Sequence, residues 1–244
     1  MAFISSSRKF KPHVFNLTEH RIKMVMKYVV HCYLEMKKDK KIYSFSERGK
    51  LQKEDFLRNG LVDDYLAKRE NKEYYKNNIS DNPNVEIFFQ KEENHTYSTN
   101  NVLADDFIDI SVKENKLSDI LSGETSDEIK FAIECKRIKE ASDYDEYVKD
   151  IKKFSERAFT TYRLPFEGQI AFIEEAKLKH EIVSANINKK LKLNPSITTT
   201  HYLSNTGIHE HFDSSYLSKH KRTYKPQTAF SIYHILFDYS SIVV

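Results

Sequence analysis

The stretch Ile129-Lys130-Phe131-Ala132-Ile133-Glu134-Cys135-Lys136-Arg137-Ile138 decides how this 244-residue chain is read. Side chains of a strand point alternately to opposite faces. Phe131, Ile133 and Cys135 then share one apolar face, and Glu134 and Lys136 share the other. Charged groups on a strand this apolar are costly unless they are paired, hold a cation or meet water in a cleft. The pair is therefore either a structural ion pair or part of a site.

The strand expected before it discriminates between the two. In Asp106-Phe107-Ile108-Asp109-Ile110-Ser111-Val112 the residues Ile108, Ile110 and Val112 share a face, and Asp109 falls on the other beside Ser111. Asp106 has the parity of the isoleucines and is expected at the strand entrance. If the two strands are neighbours, Asp109 and Glu134 converge, with Lys136 next to them. Two carboxylates brought together repel unless something positive lies between them. Mg²⁺ suits that place, because it takes one or two carboxylates and completes its shell with waters and phosphate oxygens.

Further outward, apolar periodicity predicts helices over Glu19–Lys38 and Glu47–Arg69, the latter turning Leu51, Leu57, Leu61, Tyr65 and Leu66 inward. Residues 77–84 read as a turn, 85–90 as a strand and 113–128 as a polar loop. A helix over Asp143–Thr161, a break at Pro165 and Gly168, and a buried strand at 169–173 follow. Beyond them a helix over Glu174–Leu193 and strands at 200–203, 214–220 and 230–237 are expected. The organisation is an N-terminal helical segment (1–45), a core (46–174) and a C-terminal α+β extension packed on that core (175–244).

Asp109 followed by Glu134-Cys135-Lys136, in this order of elements, resembles the PD-(D/E)xK, or restriction-endonuclease-like, nuclease superfamily. The resemblance covers roughly residues 46–174 and implies an α/β fold with an αβββαβ core, a mixed central sheet flanked by helices. Ile108 stands where a proline precedes the first acid in many members, and the 25-residue step from Asp109 to Glu134 implies a hairpin or loop excursion. The activity implied is Mg²⁺-dependent hydrolysis of phosphodiester bonds in DNA, with Mn²⁺ as a substitute. Asp109 and Glu134 would ligate the metal with the backbone carbonyl of Cys135, while Lys136 would position or activate the attacking water and neutralise developing charge. An acid from the preceding helix would join them. Glu54 is preferred for its expected place in mid-helix, with Glu47 and Asp106 as alternatives. The biological setting implied is restriction or phage defence, alone, as a homodimer or with a partner subunit. The competing reading is a catalytically silent module of the same fold that holds nucleic acid or another protein.

Composition narrows the field. Cys32 and Cys135 are the only cysteines, which excludes a disulfide scaffold and a zinc site of three or four thiolates and fits a reducing cytoplasm. No apolar run approaches the ~18 residues of a spanning helix, and the start MAFISSSRKFK carries no signal-peptide core, so neither membrane insertion nor secretion is expected. Residues 92–150 hold 16 acids against 7 Lys/Arg, a balance of −9, and residues 176–225 hold 9 Lys/Arg against 3 acids, a balance of +6. An acidic middle to gather cations and a basic later part to meet an anionic partner are consistent with a nuclease. The densest basic run, Lys219-His220-Lys221-Arg222-Thr223-Tyr224-Lys225, nominates Lys219, Lys221, Arg222 and Lys225 as phosphate contacts. Lys152, Lys153 and Arg157 form a second track. His209-Glu210-His211 lacks a third zinc ligand at a diagnostic spacing. Nucleotide-binding glycine loops and a serine-hydrolase elbow are missing.

Overall fold

The first layer is set by a helix too apolar to face water. The computed structural model describes residues 12–99, 102–116, 129–159 and 165–244. Helix α1 (Pro12–Lys38) buries Ile22, Val25, Met26, Val29, Val30 and Met36 completely. It begins seven residues before the predicted Glu19, and Pro12 suits a first helical turn, where no N–H is needed. Among the described residues no helix is long and apolar enough to cross a membrane.

Helix α2 (Lys53–Leu61) continues as a π-turn over Val62–Leu66, and α3 (Arg69–Tyr74) as another over Tyr75–Ile79. The predicted start at Glu47 fails because Gly49, at φ +61°, reverses the chain. Glu47 closes a 3₁₀ turn (Phe45–Glu47), Leu51 is exposed, and Glu54 falls in the first turn of α2 rather than in mid-helix. Leu57, Leu61, Tyr65 and Leu66 do face inward.

Eight strands form one mixed sheet among the described residues, in the order β4-β1-β2-β3-β5-β8-β7-β6. They are β1 (Val85–Thr99), β2 (Val102–Lys116), β3 (Ile129–Ile138), the two-residue β4 (Ala158–Phe159), β5 (Phe166–Ile173), β6 (Thr199–Asn205), β7 (Ser215–Lys221) and β8 (Ala229–Asp238). Strands β1, β2 and β3 pair antiparallel, β3-β5-β8 parallel, and β8-β7-β6 antiparallel again. Helix α4 (Asp143–Glu156) crosses between β3 and β5, and α5 (His180–Leu193) follows β5. The helix expected to reach Thr161 stops at Glu156, residues 160–164 lie outside the described residues, and α5 starts six residues later than Glu174. Most of the expected polar loop at 113–128 also lies outside them, while its first four residues belong to β2.

Alternation in β3 divides the core. Phe131, Ile133 and Cys135 join the α1–α2 side with Ile170, Phe172, Tyr233 and Phe237. Ala132 and Ile138 join the α4–α5 side with Tyr147, Ile151, Val183 and Ile232. Gly168 lets β5 lie close to β3, since a Cβ there would stand 2.7 Å from Ile133 Cγ1.

Strand β2 departs from simple alternation. Ile110 and Val112 belong to the α1 side, but Ile108 belongs to the α4 side. The break in parity falls at Asp109, opposite Glu92 in the hairpin. The β1–β2 ladder pairs Lys91 with Ile110 and Glu93 with Ile108 but skips that position, and Glu92 has φ +53°. Pairing of β2 with β3 also stops at Ile110↔Ile133, so the two strands fork at Asp109. Asp106 lies inside β2 opposite His95, not at the strand entrance.

Candidate active site

Where two paired strands part, backbone N–H groups lose their partners. Here a side chain supplies the replacement: the N–H of Cys135 donates to Asp109 Oδ2 at 2.7 Å. The other oxygen, Oδ1, accepts from Arg58 Nη1 of α2 at 3.0 Å. Arg58, only 2 % exposed, also donates to Glu92, which ties the left-handed hairpin residue to the same cluster.

The alternation of β3 carries Glu134 and Lys136 to the opposite side from Cys135, towards α4. Glu134 is 5 % exposed and receives Arg157 Nη1 at 3.3 Å. Burial pushes its pKa well above the ordinary carboxylate range, and the charges of Asp109 and Asp150 push the same way, against Arg157 and Lys153. Lys136 bridges the two helices. Its Nζ donates to Glu54 Oε1 at 2.9 Å and lies 3.4 Å from Asp150 Oδ2. Burial opposes its charge, but Asp150 and Glu54 more than offset this and raise its pKa. The ammonium therefore stays protonated. Glu54 Oε2 accepts the N–H of Arg137 at 2.9 Å, which fixes the start of α2 against the end of β3. Burial raises the pKa of Glu54 while Lys136 lowers it.

Lys136 and Glu54 are thus in direct contact near the β2–β3 fork, and Asp109 lies close enough for its charge to act on both of them and on Glu134. Glu47, in its separate 3₁₀ turn, makes no contact with this group that the described structure records. The side chain of Asp106 lies outside the described residues. The thiol of Cys135 faces the core, fully buried, and burial raises its pKa well above normal. Any metal role of Cys135 is thus confined to its backbone.

Three groups were not singled out by the pattern: Arg58, Asp150 and Glu92. Asp150 is 3 % exposed on the inner face of α4. A charged residue on the buried stripe of an otherwise amphipathic helix was the signal available for it, with Tyr147 and Phe154 one turn to either side.

Two predicted phosphate contacts are turned inward. Arg222, 6 % exposed, donates to the Phe154 carbonyl at 2.5 Å and to Glu167 at 3.1 Å. The alternation of β7 explains it: Ser218 and His220 point in, Lys219 and Lys221 point out, and Arg222 continues the inward series. Arg157 is buried on Glu134 and belongs to the site, not to a surface track. Lys219, Lys221 and Lys225 are exposed, and Lys152 is half-buried beside Glu156.

The donor set bears on a metal. Asp109 and Glu134 offer hard oxygen ligands, and each carboxylate has acceptor capacity beyond its arginine. Among the described residues no group of three or more His, Cys, Asp or Glu side chains is already gathered for a metal ion. Mg²⁺ does not require one, since one or two carboxylates suffice when waters and phosphate oxygens complete the shell. The set fits Mg²⁺ and is wrong for a soft thiolate-bound ion.

Comparison of the chain with protein-family models, with curated proteins and with solved structures gives no match in any of the three.

Proposed function

We propose that this chain is a Mg²⁺-dependent nuclease of the restriction-endonuclease-like type, hydrolysing phosphodiester bonds in DNA. The observation that carries the reading is the convergence of Asp109, Glu134, Glu54 and Lys136, from two strands and a helix, on one strand fork. The reading is further supported by the element order: with α3 and the two-residue β4 intervening, α2, β1, β2, β3, α4 and β5 include the helix, three strands, helix and strand that the resemblance implies.

Asp109 and Glu134 would hold the metal, together with the Cys135 carbonyl. When bound, Mg²⁺ polarises a phosphoryl oxygen and lowers the pKa of a coordinated water. The chain's own groups do the rest. Lys136, held protonated, places a positive charge against the phosphoryl oxygens as negative charge builds there. A protonated ammonium cannot accept the water's proton, so its part is electrostatic and orienting rather than basic. Burial of Glu134 excludes bulk water and strengthens each of these interactions.

The test is cleavage of supercoiled plasmid with Mg²⁺ or Mn²⁺. Lys136→Ala and Glu134→Ala should each reduce the rate at least a hundredfold, in line with the loss of one preorganised electrostatic group. Parent-like cutting by either variant refutes the site. One observation favours the alternative of a non-cutting module: both metal-facing acids already carry an arginine, Arg58 on Asp109 and Arg157 on Glu134. Salt-sensitive DNA binding with no metal-dependent cleavage would decide for that alternative.

A further inference from the structure

One carboxylate oxygen of Asp150 is buried in an ion pair but accepts no hydrogen bond. Its Oδ1 pairs with Lys153 Nζ at 3.1 Å, but its Oδ2 is buried without a hydrogen-bond donor. Buried acceptors are nearly always satisfied, so each exception calls for a cause. The nearest donor is Lys136, whose Nζ is 3.4 Å away, close enough for charge attraction but hydrogen-bonded instead to Glu54 at 2.9 Å. An ammonium has three donors on a flexible stem. A small rotation of its last torsions would bring one of them onto Oδ2.

We propose that Asp150 is the second seat of the Lys136 ammonium, a positioning residue that receives the lysine when Glu54 is drawn towards a cation held by Asp109 and Glu134. The inference rests on the metal-dependent reading above. Glu54 is already oriented for this shift. Its Oε2 is tethered to the N–H of Arg137, and the negative charge of Asp109 acts on it, so a cation at Asp109 would attract the Oε1 that Lys136 holds in its absence. That cation would also repel the ammonium. Without Asp150, Lys136 would have to stay on Glu54 and compete with the metal. With it, the lysine keeps an acidic partner and remains at the end of β3, where a phosphoryl group would meet it.

The test is a double-mutant cycle on Mn²⁺ affinity, measured by titration calorimetry on the full chain without nucleic acid. Asp150→Asn should weaken Mn²⁺ binding about tenfold, because the lysine then competes for Glu54. In a Glu54→Gln background the same change should alter affinity less than about threefold, because the contested carboxylate is gone. Equal losses in both backgrounds would mean that Asp150 contributes only its charge or ligates the ion directly, and would overturn the proposal. So would no loss at all. A crystal structure of the unaltered chain with Mn²⁺ gives a second measurement that needs no variant. Lys136 Nζ should lie about 3 Å from Asp150 Oδ2, and Nζ still on Glu54 with the ion bound refutes it. A parent chain that binds no Mn²⁺ removes the metal-dependent reading and this inference together. A parent that binds it while the cycle is additive removes this inference alone.

Discussion

Glu134 bears two opposed demands. In the proposed role of metal ligand it must be ionised, yet burial and the nearby charges of Asp109 and Asp150 hold its pKa well above the usual value. A carboxyl whose folded pKa is raised contributes stability at pH below its ordinary value near 4.5. That contribution is lost as pH rises through the raised value. Glu134→Gln mimics the protonated form. It should therefore abolish cleavage, and its stability relative to the parent should rise between pH 4.5 and pH 8, because only the parent has a buried carboxyl to ionise. Urea unfolding at the two pH values checks this, and a relative stability that falls over that interval would show that the ionised pair with Arg157 outweighs burial. Asp109, Glu134 and Lys136 were legible in the sequence because acid and base types stand out against an apolar alternation, whereas Glu54 was preferred for a mid-helix place that it does not hold. Arg58, Arg157 and Arg222 were misread or missed for the converse reason. A cation is assigned to the surface by default, and only the fold reveals the buried acid that draws each one in.

At the scale of elements, β3 matched its expected bounds, Ile129–Ile138, because a continuous apolar run with turn-rich flanks admits few other readings. Helix α2 was misplaced at its start, since the left-handed Gly49 punctuates a sequence that otherwise keeps helical spacing. Strands β1 and β2 were underestimated: β1 runs on through the largely polar residues 91–99, and β2 begins four residues before and ends four residues after the expected 106–112, the two pairing with each other along that length. The position of α2 matters most for the site, because it carries both Glu54 and Arg58. Gly60 sets that position: a Cβ there would come within 2.5 Å of the Tyr43 ring. The ring has little freedom to yield, being hydrogen-bonded through its hydroxyl to Asp64 and flanked by backbone bonds to Ile242 and Val244. Alanine is ordinarily the better helix former by about 1 kcal/mol. Gly60→Ala should nevertheless destabilise the protein by about 1–3 kcal/mol through overpacking and lower the cleavage rate by shifting Glu54. A rise in melting temperature would contradict this packing argument.

Across the whole molecule, a buried polar chain runs from α4 along the same face of the sheet to its β6 edge. Tyr147 meets His234 at 2.9 Å, His234 and His220 each meet Ser218 at 2.7 Å, and His220 reaches Thr199 at 3.1 Å. Burial pushes His220 down to about 3, with Arg222 acting the same way, and pushes His234 well below its normal value. Depressed pKa values give stability that is complete above the ordinary histidine value of 6.5 and is lost as pH falls towards 3. The fold should therefore weaken by about 1.4 kcal/mol per pH unit for each of the two histidines below pH 6.5. His220→Gln should flatten that slope in unfolding titrations, and an unchanged slope would place the acid sensitivity elsewhere. The fork of β2 from β3 has a further consequence. Because Asp109 caps the Cys135 amide that the parting strands leave open, its oxygen belongs to the backbone bonding of the sheet as much as to any reaction. A scaffold stripped of its chemistry but kept folded would need asparagine at 109, since alanine there would also leave a main-chain donor stranded.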